Sequence, residues 1–288
     1  MILITGASGN VGSEVLKQAA AAQLPIRAAY QTAAKAKAAP AGVETTLLDY
    51  NKPETIRAAL RGIEIAFLVG PPTANVAELE GQFVDEAKKA GVKRIVKLSA
   101  MGGRSAIFPG LHRDSEEKIQ ASGIPYTFLQ PNGFMQNYIL YNAATIQGQN
   151  AIYGAQGKGA VSHIDIRDIG AVTVKALSER GHEGKAYPLT GPEALNNDQV
   201  AEKLSRALGR TIRYVDLPAN DFKQALLSAG MPEWSVNAIL DLQRMYREGG
   251  ASAVDPTVSR LLGRPAIPFD QFARDYATAL APQASAAS

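Results

Sequence analysis

The sequence predicts an α/β protein: a doubly wound, Rossmann-type parallel sheet with a smaller, mostly helical C-terminal substrate lobe. Three observations predict it. The turn Thr5-Gly6-Ala7-Ser8-Gly9-Asn10-Val11-Gly12 follows the apolar run Ile2-Leu3-Ile4 and opens a helix-compatible stretch. Apolar β-type runs then alternate with helical patterns through the first half, and such alternation implies right-handed crossovers between parallel strands. Finally, runs such as Ile65-Ala66-Phe67-Leu68-Val69 are apolar throughout, which suits strands covered on both faces.

The first strand is expected at residues 2–5. Gly6 then permits a tight turn, Gly9 lets backbone approach a pyrophosphate, and Gly12 lets the following helix pack closely on the strand. Ser8, Asn10 and Val11 complete the cradle, where free helix N–H groups and the helix dipole favour an anion. A plain structural turn is the alternative; position after a strand and before a helix favours the nucleotide. Further strands are expected at 26–30, 43–48, 65–69, 94–99 and 126–130, with helices at 11–22, 53–60, 76–90 and 111–121. Gly91 and Gly123 read as helix stops.

The second half is less regular. Residues 161–166 read as a strand with a helix at 167–177 behind it, and 197–208, 221–229 and 234–247 read as amphipathic helices separated by glycines. The expected division is a Rossmann domain at 1–155 and a substrate lobe at 156–288 that returns one or more strands to the main sheet. The tail, 282–288, is small and polar and is expected to fray.

Composition narrows the function. The net charge is +3 with no long basic run, so nothing supports nucleic-acid binding. The chain has no cysteine, which excludes disulfides, thiolate nucleophiles and cysteine-held metals. No apolar stretch is long enough to span a bilayer, and the glycine turn begins too near Met1 to leave room for a signal peptide. The expectation is a cytoplasmic monomer or homodimer with a small conjugated or aromatic substrate and no metal.

In this fold the end of the second strand meets the adenosine ribose, where an acidic residue selects NAD and a basic one accommodates the 2′-phosphate of NADP. Here Tyr30-Gln31-Thr32 carries no carboxylate, and Lys35 and Lys37 follow. Gln31 and Thr32 are expected to donate hydrogen bonds and Lys35 to supply charge, unless the lysines are simply solvated. The expected cofactor is therefore NADP, with NADPH preferred and NADH possible. Asp49, followed by Tyr50, is placed to bond the adenine amine or else to serve a turn before Pro53. Val69-Gly70-Pro71 offers a rigid wall against ribose and adenine, or an ordinary turn.

Short-chain dehydrogenases pair tyrosine with a lysine four positions later. None of the ten tyrosines here has one. Hydride delivered to an isolated ketone makes an alkoxide that needs a nearby proton donor. Delivered to a quinone it makes a phenolate, whose conjugate acid has a pKa near ~10, so water can supply the proton. Conjugated acceptors are therefore favoured, and a nucleotide-sugar epimerase is disfavoured. Ser99, at the carboxyl edge of its strand, is expected to orient nicotinamide or substrate, or to belong to a turn. His112, early in a helix, is expected to donate a proton, since imidazole titrates near ~6.5, or to be an exposed helix-start residue. His163 and His182 show no metal-ligand pattern. Trp234, Phe222, Met231 and Met245 are candidates for a pocket lining or, at helical spacing, for core.

Taken together, these residues resemble the NmrA-like family of atypical short-chain dehydrogenases. The matching pieces are Thr5 to Gly12, Asp49-Tyr50, Leu98-Ser99-Ala100, the helix at His112, Ile124-Pro125-Tyr126-Thr127, Gln130-Pro131-Asn132-Gly133-Phe134 and Ile164-Asp165-Ile166-Arg167-Asp168. Within the family the chain is most similar to bacterial quinone, azo-dye and triphenylmethane-dye reductases. The resemblance implies NAD(P)H-dependent reduction of conjugated acceptors. It also implies that Pro131, Asn132 and Phe134 line the nicotinamide end and substrate mouth, and that His112 stands where the isoflavone-reductase branch has a catalytic lysine. Gln31 replaces an arginine common among relatives, whereas Lys35 keeps a basic position. The family also includes nucleotide-sensing regulators without turnover, which is the alternative reading.

Overall fold

The computed structural model describes residues 1–282, so all of the tail expected to fray except Pro282 lies outside the described residues. In chain order, the first half contains β1 (Ile2–Ile4), α1 (Asn10–Ala21), β2 (Ile26–Tyr30), α2 (Ala33–Ala36), β3 (Glu44–Leu47), α3 (Pro53–Ala59), β4 (Ile65–Leu68), α4 (Val76–Lys89), β5 (Arg94–Leu98), α5 (Ile107–Ser122) and β6 (Tyr126–Pro131). There follow α6 (Asn137–Gln149), β7 (Ala151–Gly154), α7 (Ile166–Ser178), β8 (Lys185–Leu189), α8 (Asn197–Leu208), β9 (Arg213–Asp216), α9 (Ala219–Ser228), α10 (Glu233–Arg247), α11 (Thr257–Leu262), α12 (Phe269–Asp275) and α13 (Ala277–Leu280).

These elements pack as two units. The first comprises Met1–Arg104, Phe108–Pro131 and Ile166–Leu189; the second comprises Ser105–Ile107, Asn132–Asp165 and the chain from Thr190 onward. The division therefore corrects the expected boundary at residue 155. Residues 132–155 join the second unit, while α7 and β8 return to the first.

The first unit is a seven-stranded sheet in the order β3-β2-β1-β4-β5-β6-β8, parallel at every pairing. Chain order reverses on either side of β1, and in open α/β sheets ligands bind beyond the carboxyl ends of the strands at that switch point. Central strands carry apolar side chains on both faces, so Leu3, Ala66, Leu68 and Ile95 pack with Phe83, Val84, Ile119 and Phe128 in one buried cluster. β8 is the returning strand. It lies at the sheet edge, where Pro188, lacking an N–H, leaves no ladder partner unsatisfied.

The expected strand at 161–166 is corrected to a pair of isolated bridges, Phe134 with Ile164 and Val161 with Leu195. Its N–H groups go to three different segments: Val161 to Leu195 O, Ser162 to Ala251 O and Ile164 to Gly133 O. Partners that change at successive residues cannot build a ladder.

In the second unit, β7 and β9 form a short parallel pair, and helices bury Met135, Ile146, Leu204, Phe269 and Phe272. Phe222 is buried in this unit, and Met245 packs with Val161 and Ala251, so these two are core. Met231 and Trp234 are half-buried.

His163, also in this unit, is buried with Nε2 3.4 Å from the Tyr138 hydroxyl. Burial pushes its pKa down to about 4, against a bond to the Val161 backbone that raises it. An unfolded histidine titrates near ~6.5, so below that pH the unfolded chain binds a proton the folded chain refuses. Stability then falls as pH drops from ~6.5 toward 4, by about 3 kcal/mol from this group at 1.36 kcal/mol per pKa unit. Denaturant titrations at neutral pH and at about pH 4.5 check this: His163→Gln should lose correspondingly less than the parent, and an equal loss would refute it.

Candidate active site

Gly6 has a left-handed backbone, φ +61, which favours glycine. A Cβ on Gly12 would lie 2.0 Å from Gly6 O and 2.6 Å from Gly6 C, both backbone atoms. Only glycine allows α1 to begin this close to the end of β1. Gly9 is the N-cap of α1, no side chain caps the helix, and no acidic residue stands in its first turn. Ser8 and Gly9 are exposed. The structure thus presents an open helix N-terminus over a glycine turn, which fits a pyrophosphate. Thr5 ties the turn to β4: its hydroxyl donates to Phe67 O at 3.0 Å and accepts from Val69 N at 2.8 Å.

At the end of β2, Gln31 and Lys35 are exposed, and the Thr32 hydroxyl accepts from Lys35 N, capping α2. Beyond β3, Asp49 serves the turn that sequence analysis offered as an alternative: Oδ1 accepts from Asn51 N at 3.0 Å, and Oδ2 is 3.8 Å from Lys52 Nζ. The Tyr50 hydroxyl donates to Val69 O at 2.9 Å. Gly70 is glycine for a steric reason, since a Cβ there would meet Val76 Cγ2 at 2.6 Å and Glu80 Oε1 at 2.8 Å. Pro71 follows, half-buried.

Sequence reasoning missed the polar network beneath this edge. Lys97, on the face of β5 that meets α4 and α5, is fully buried, and its Nζ donates to Glu80 Oε2 at 2.5 Å and to Leu98 O at 3.2 Å. Nζ also lies 3.3 Å from His112 Nδ1. Glu80, equally buried, accepts from Gly70 N through Oε1 at 2.9 Å and from the Ser115 hydroxyl through Oε2. His112 is buried rather than an exposed helix-start residue, with its ring edge-on to Phe108. Burial, and then the Lys97 ammonium, hold its pKa well below the usual histidine value. Both causes disfavour a second proton on the ring.

Ser99 is buried and donates to Glu116 Oε1 at 2.6 Å, an oxygen that also accepts from Gln130 Nε2 at 2.8 Å. Arg113 Nη1 lies 2.6 Å from Glu116 Oε2, off hydrogen-bonding geometry but close enough to balance its charge. With its hydrogen committed to a carboxylate, Ser99 offers lone pairs to a ligand. Pro131 closes β6, accepting from Met101 N at 3.0 Å. Asn132 and Phe134 belong to the second unit. There the Asn132 amide donates to Ser162 Oγ and Ala251 O, each at 2.8 Å, and Phe134 is half-buried. Among the described residues no cluster of potential ligands could hold a metal, and no helix is long and apolar enough to cross a membrane.

Sheet order and glycine turn together define a Rossmann-type α/β protein. More particularly, the chain belongs to the NmrA-like family, whose pattern matches residues 1–263. It is 39% identical over 283 residues to the NAD(P)H azoreductase of Xenophilus azovorans, covering 97% of this chain and 99% of that one. Among solved structures it is similar to the NADPH complex of an NADPH-dependent quinone oxidoreductase from Escherichia coli (30% identity, TM-score 0.86, covering 96% and 99% of the two chains). It is similar also to Citrobacter sp. triphenylmethane reductase complexed with NADP(H) (26% identity, TM-score 0.86, covering 96% and 100%).

Proposed function

We propose that this protein is an NAD(P)H-dependent oxidoreductase that transfers hydride to a conjugated acceptor such as a quinone, an azo compound or a dye. The observation that carries the reading is the glycine cradle, where a Gly12 Cβ has no room beside Gly6 O and α1 starts without a cap. Near full-length similarity to an azoreductase and to a quinone reductase supports the acceptor class.

Gly6, Gly9 and Gly12 would shape the pyrophosphate cradle, the Gly9 N–H being donated to Gly6 O within the turn, and Ser8, Asn10 and Val11 at the helix start would offer it backbone N–H groups. Gln31 and Lys35 would meet the 2′-phosphate, which favours NADPH while permitting NADH. Asp49, Tyr50, Val69, Gly70 and Pro71 would bound the adenosine, and Ser99 and Pro131 the nicotinamide end. Asn132 and Phe134 are proposed for cofactor binding on the family resemblance, and the Asn132 side chain is already committed to Ser162 and Ala251. When bound, the reduced nucleotide supplies the hydride. What the chain's own residues must add is position and a hydrogen-bond donor, because no tyrosine is paired with a lysine four residues on. Donors of that modest strength suffice for acceptors whose reduced forms are weak bases. The reading includes a cytoplasmic location and a monomeric or homodimeric state, which size-exclusion chromatography and fractionation test.

The test is NADPH oxidation by the purified protein with a benzoquinone, an azo dye, a triphenylmethane dye and a plain ketone. Turnover is expected with the conjugated acceptors and not with the ketone. Tight NADPH binding without oxidation by any of them would favour a nucleotide-sensing role instead. Lys35→Glu is expected to weaken NADPH about tenfold and to leave NADH within about twofold. Equal changes for both nucleotides in a fluorescence titration would remove Lys35 from the 2′-phosphate site.

A further inference from the structure

A buried ion pair seldom repays its own desolvation compared with an apolar pair of the same shape. Lys97 and Glu80 are nonetheless fully buried within the first unit, and every polar bond the pair can readily make is made. The three Nζ hydrogens face Glu80 Oε2, Leu98 O and His112 Nδ1. Of these three partners only the imidazole can exist in more than one protonation form at neutral pH. An ammonium has donors and no acceptor, so a ring nitrogen 3.3 Å away must accept. That places the ring hydrogen on Nε2. Nε2 itself has no hydrogen-bond partner among the described residues and is absent from their fully enclosed, unpartnered polar atoms, so it keeps access to solvent.

We propose that Lys97 and Glu80 are positioning residues, whose ion pair holds His112 in the form that accepts at Nδ1 and presents Nε2–H as a hydrogen-bond donor to the acceptor substrate. This rests on the reading of the site given under the proposed function. Glu80 holds the ammonium in place, while its own Oε1 is anchored by Gly70 N and its Oε2 by Ser115. The donor's strength then does not depend on pH over the physiological range. The charged groups around the ring are Lys97 from β5 and, behind it, Glu80 from α4. On α5 itself, the adjoining Arg113 is paired with Glu116. Burial and the ammonium both oppose a second proton on the ring. The imidazole donates a hydrogen bond and returns unchanged; hydride and proton balance is completed by the nucleotide and by solvent.

The tautomer is read directly, without cofactor or turnover. Protein labelled with ¹⁵N-histidine gives two-bond ¹⁵N–¹H correlations for its three histidines, and His112 is assigned by its loss in His112→Gln. In the parent, His112 should carry its hydrogen on Nε2, with shifts constant from about pH 8 to about pH 5.5. In Lys97→Met/Glu80→Gln, which removes both charges together and leaves the burial, His112 should lose its single form and give signals of both the Nδ1–H and Nε2–H tautomers. Turnover with a quinone should then fall about tenfold or more with KM for NADPH within about twofold. A parent His112 protonated at Nδ1, or titrating at the ordinary histidine value near ~6.5, overturns the proposal even if the double variant does not fold. So does a double variant that keeps the parent's single tautomer. Unchanged turnover in His112→Gln overturns the donor role. Absence of turnover in the parent with every acceptor overturns the proposed function instead, and the tautomer spectra tell the two failures apart.

Discussion

Gly12→Ala is expected to weaken NADPH binding more than about a hundredfold, equivalent to ~2.7 kcal/mol, and to lower stability by about 1–3 kcal/mol. The new Cβ would sit 2.0 Å from Gly6 O and 3.2 Å from Thr5 O. Neither obstacle is a side chain that can swing aside. One belongs to the turn itself and the other to the end of β1, which Thr5 locks to β4. The first turn of α1 must therefore back away from the strand, taking with it the N–H groups that would face the pyrophosphate. Gly9→Ala provides the control for stability alone, because its Cβ would meet Gly6 O at 3.2 Å, a contact relieved by a few tenths of an ångström, while Gly9 itself borders the proposed pyrophosphate site. Denaturant unfolding of both variants gives the stability ordering, and calorimetric titration with NADPH gives the affinity lost in Gly12→Ala. Parent-like nucleotide affinity in Gly12→Ala would remove the cradle from the cofactor site and with it the basis of the proposed function.

The part of this molecule legible in its sequence is the part where physics acts locally. Gly6 and Gly12 are readable because each relieves a steric conflict between neighbours in the chain. Strands such as β4 and β5 are readable because burial on both faces demands an apolar run. β8 lacks that signature: as an edge strand it has Lys185 and Ala186 exposed and carries a proline. The stretch 161–166 reads as a strand because Val161, Ile164 and Ile166 are β-branched, but its pairing is set by segments distant in sequence, Gly133, Leu195 and Ala251. α5 starts at Ile107, four residues before the expected 111, because Pro109 is tolerated in a first turn and Asp241 accepts from Ile107 N at 2.6 Å. The network behind His112 did leave a trace. Lys97 interrupts Ile95-Val96-Lys97-Leu98, and Glu80 falls on the buried stripe of α4 with Val76, Leu79, Phe83 and Val84. One opposite charge in each of two adjoining covered elements is the pattern a buried pair leaves. Their pairing, and its reach to His112, needed the register of α4 and α5 on the sheet.

That pairing makes Lys97→Met alone the more damaging way to remove the ammonium. Methionine fills a similar volume, so the packing changes little. The cost comes from Glu80, whose carboxylate stays fully enclosed with only Gly70 N and the Ser115 hydroxyl left to balance it. Breaking a buried pair from one side typically costs about 3–5 kcal/mol, whereas removing both charges is often close to neutral. Lys97→Met is accordingly expected to lose about 3–5 kcal/mol in denaturant unfolding at neutral pH. Lys97→Met/Glu80→Gln should lose less than this single variant despite carrying one substitution more. Measured beside Glu80→Gln alone, such a reversal gives the coupling between the two side chains, as the departure of the double variant from the sum of the singles. It also separates the stability of the fold from the state of His112, because the double variant would be well folded and yet have lost the donor to Nδ1. A single variant no less stable than the double would mean that water or a shifted side chain already balances Glu80, and the ion pair would then have no hold on the imidazole.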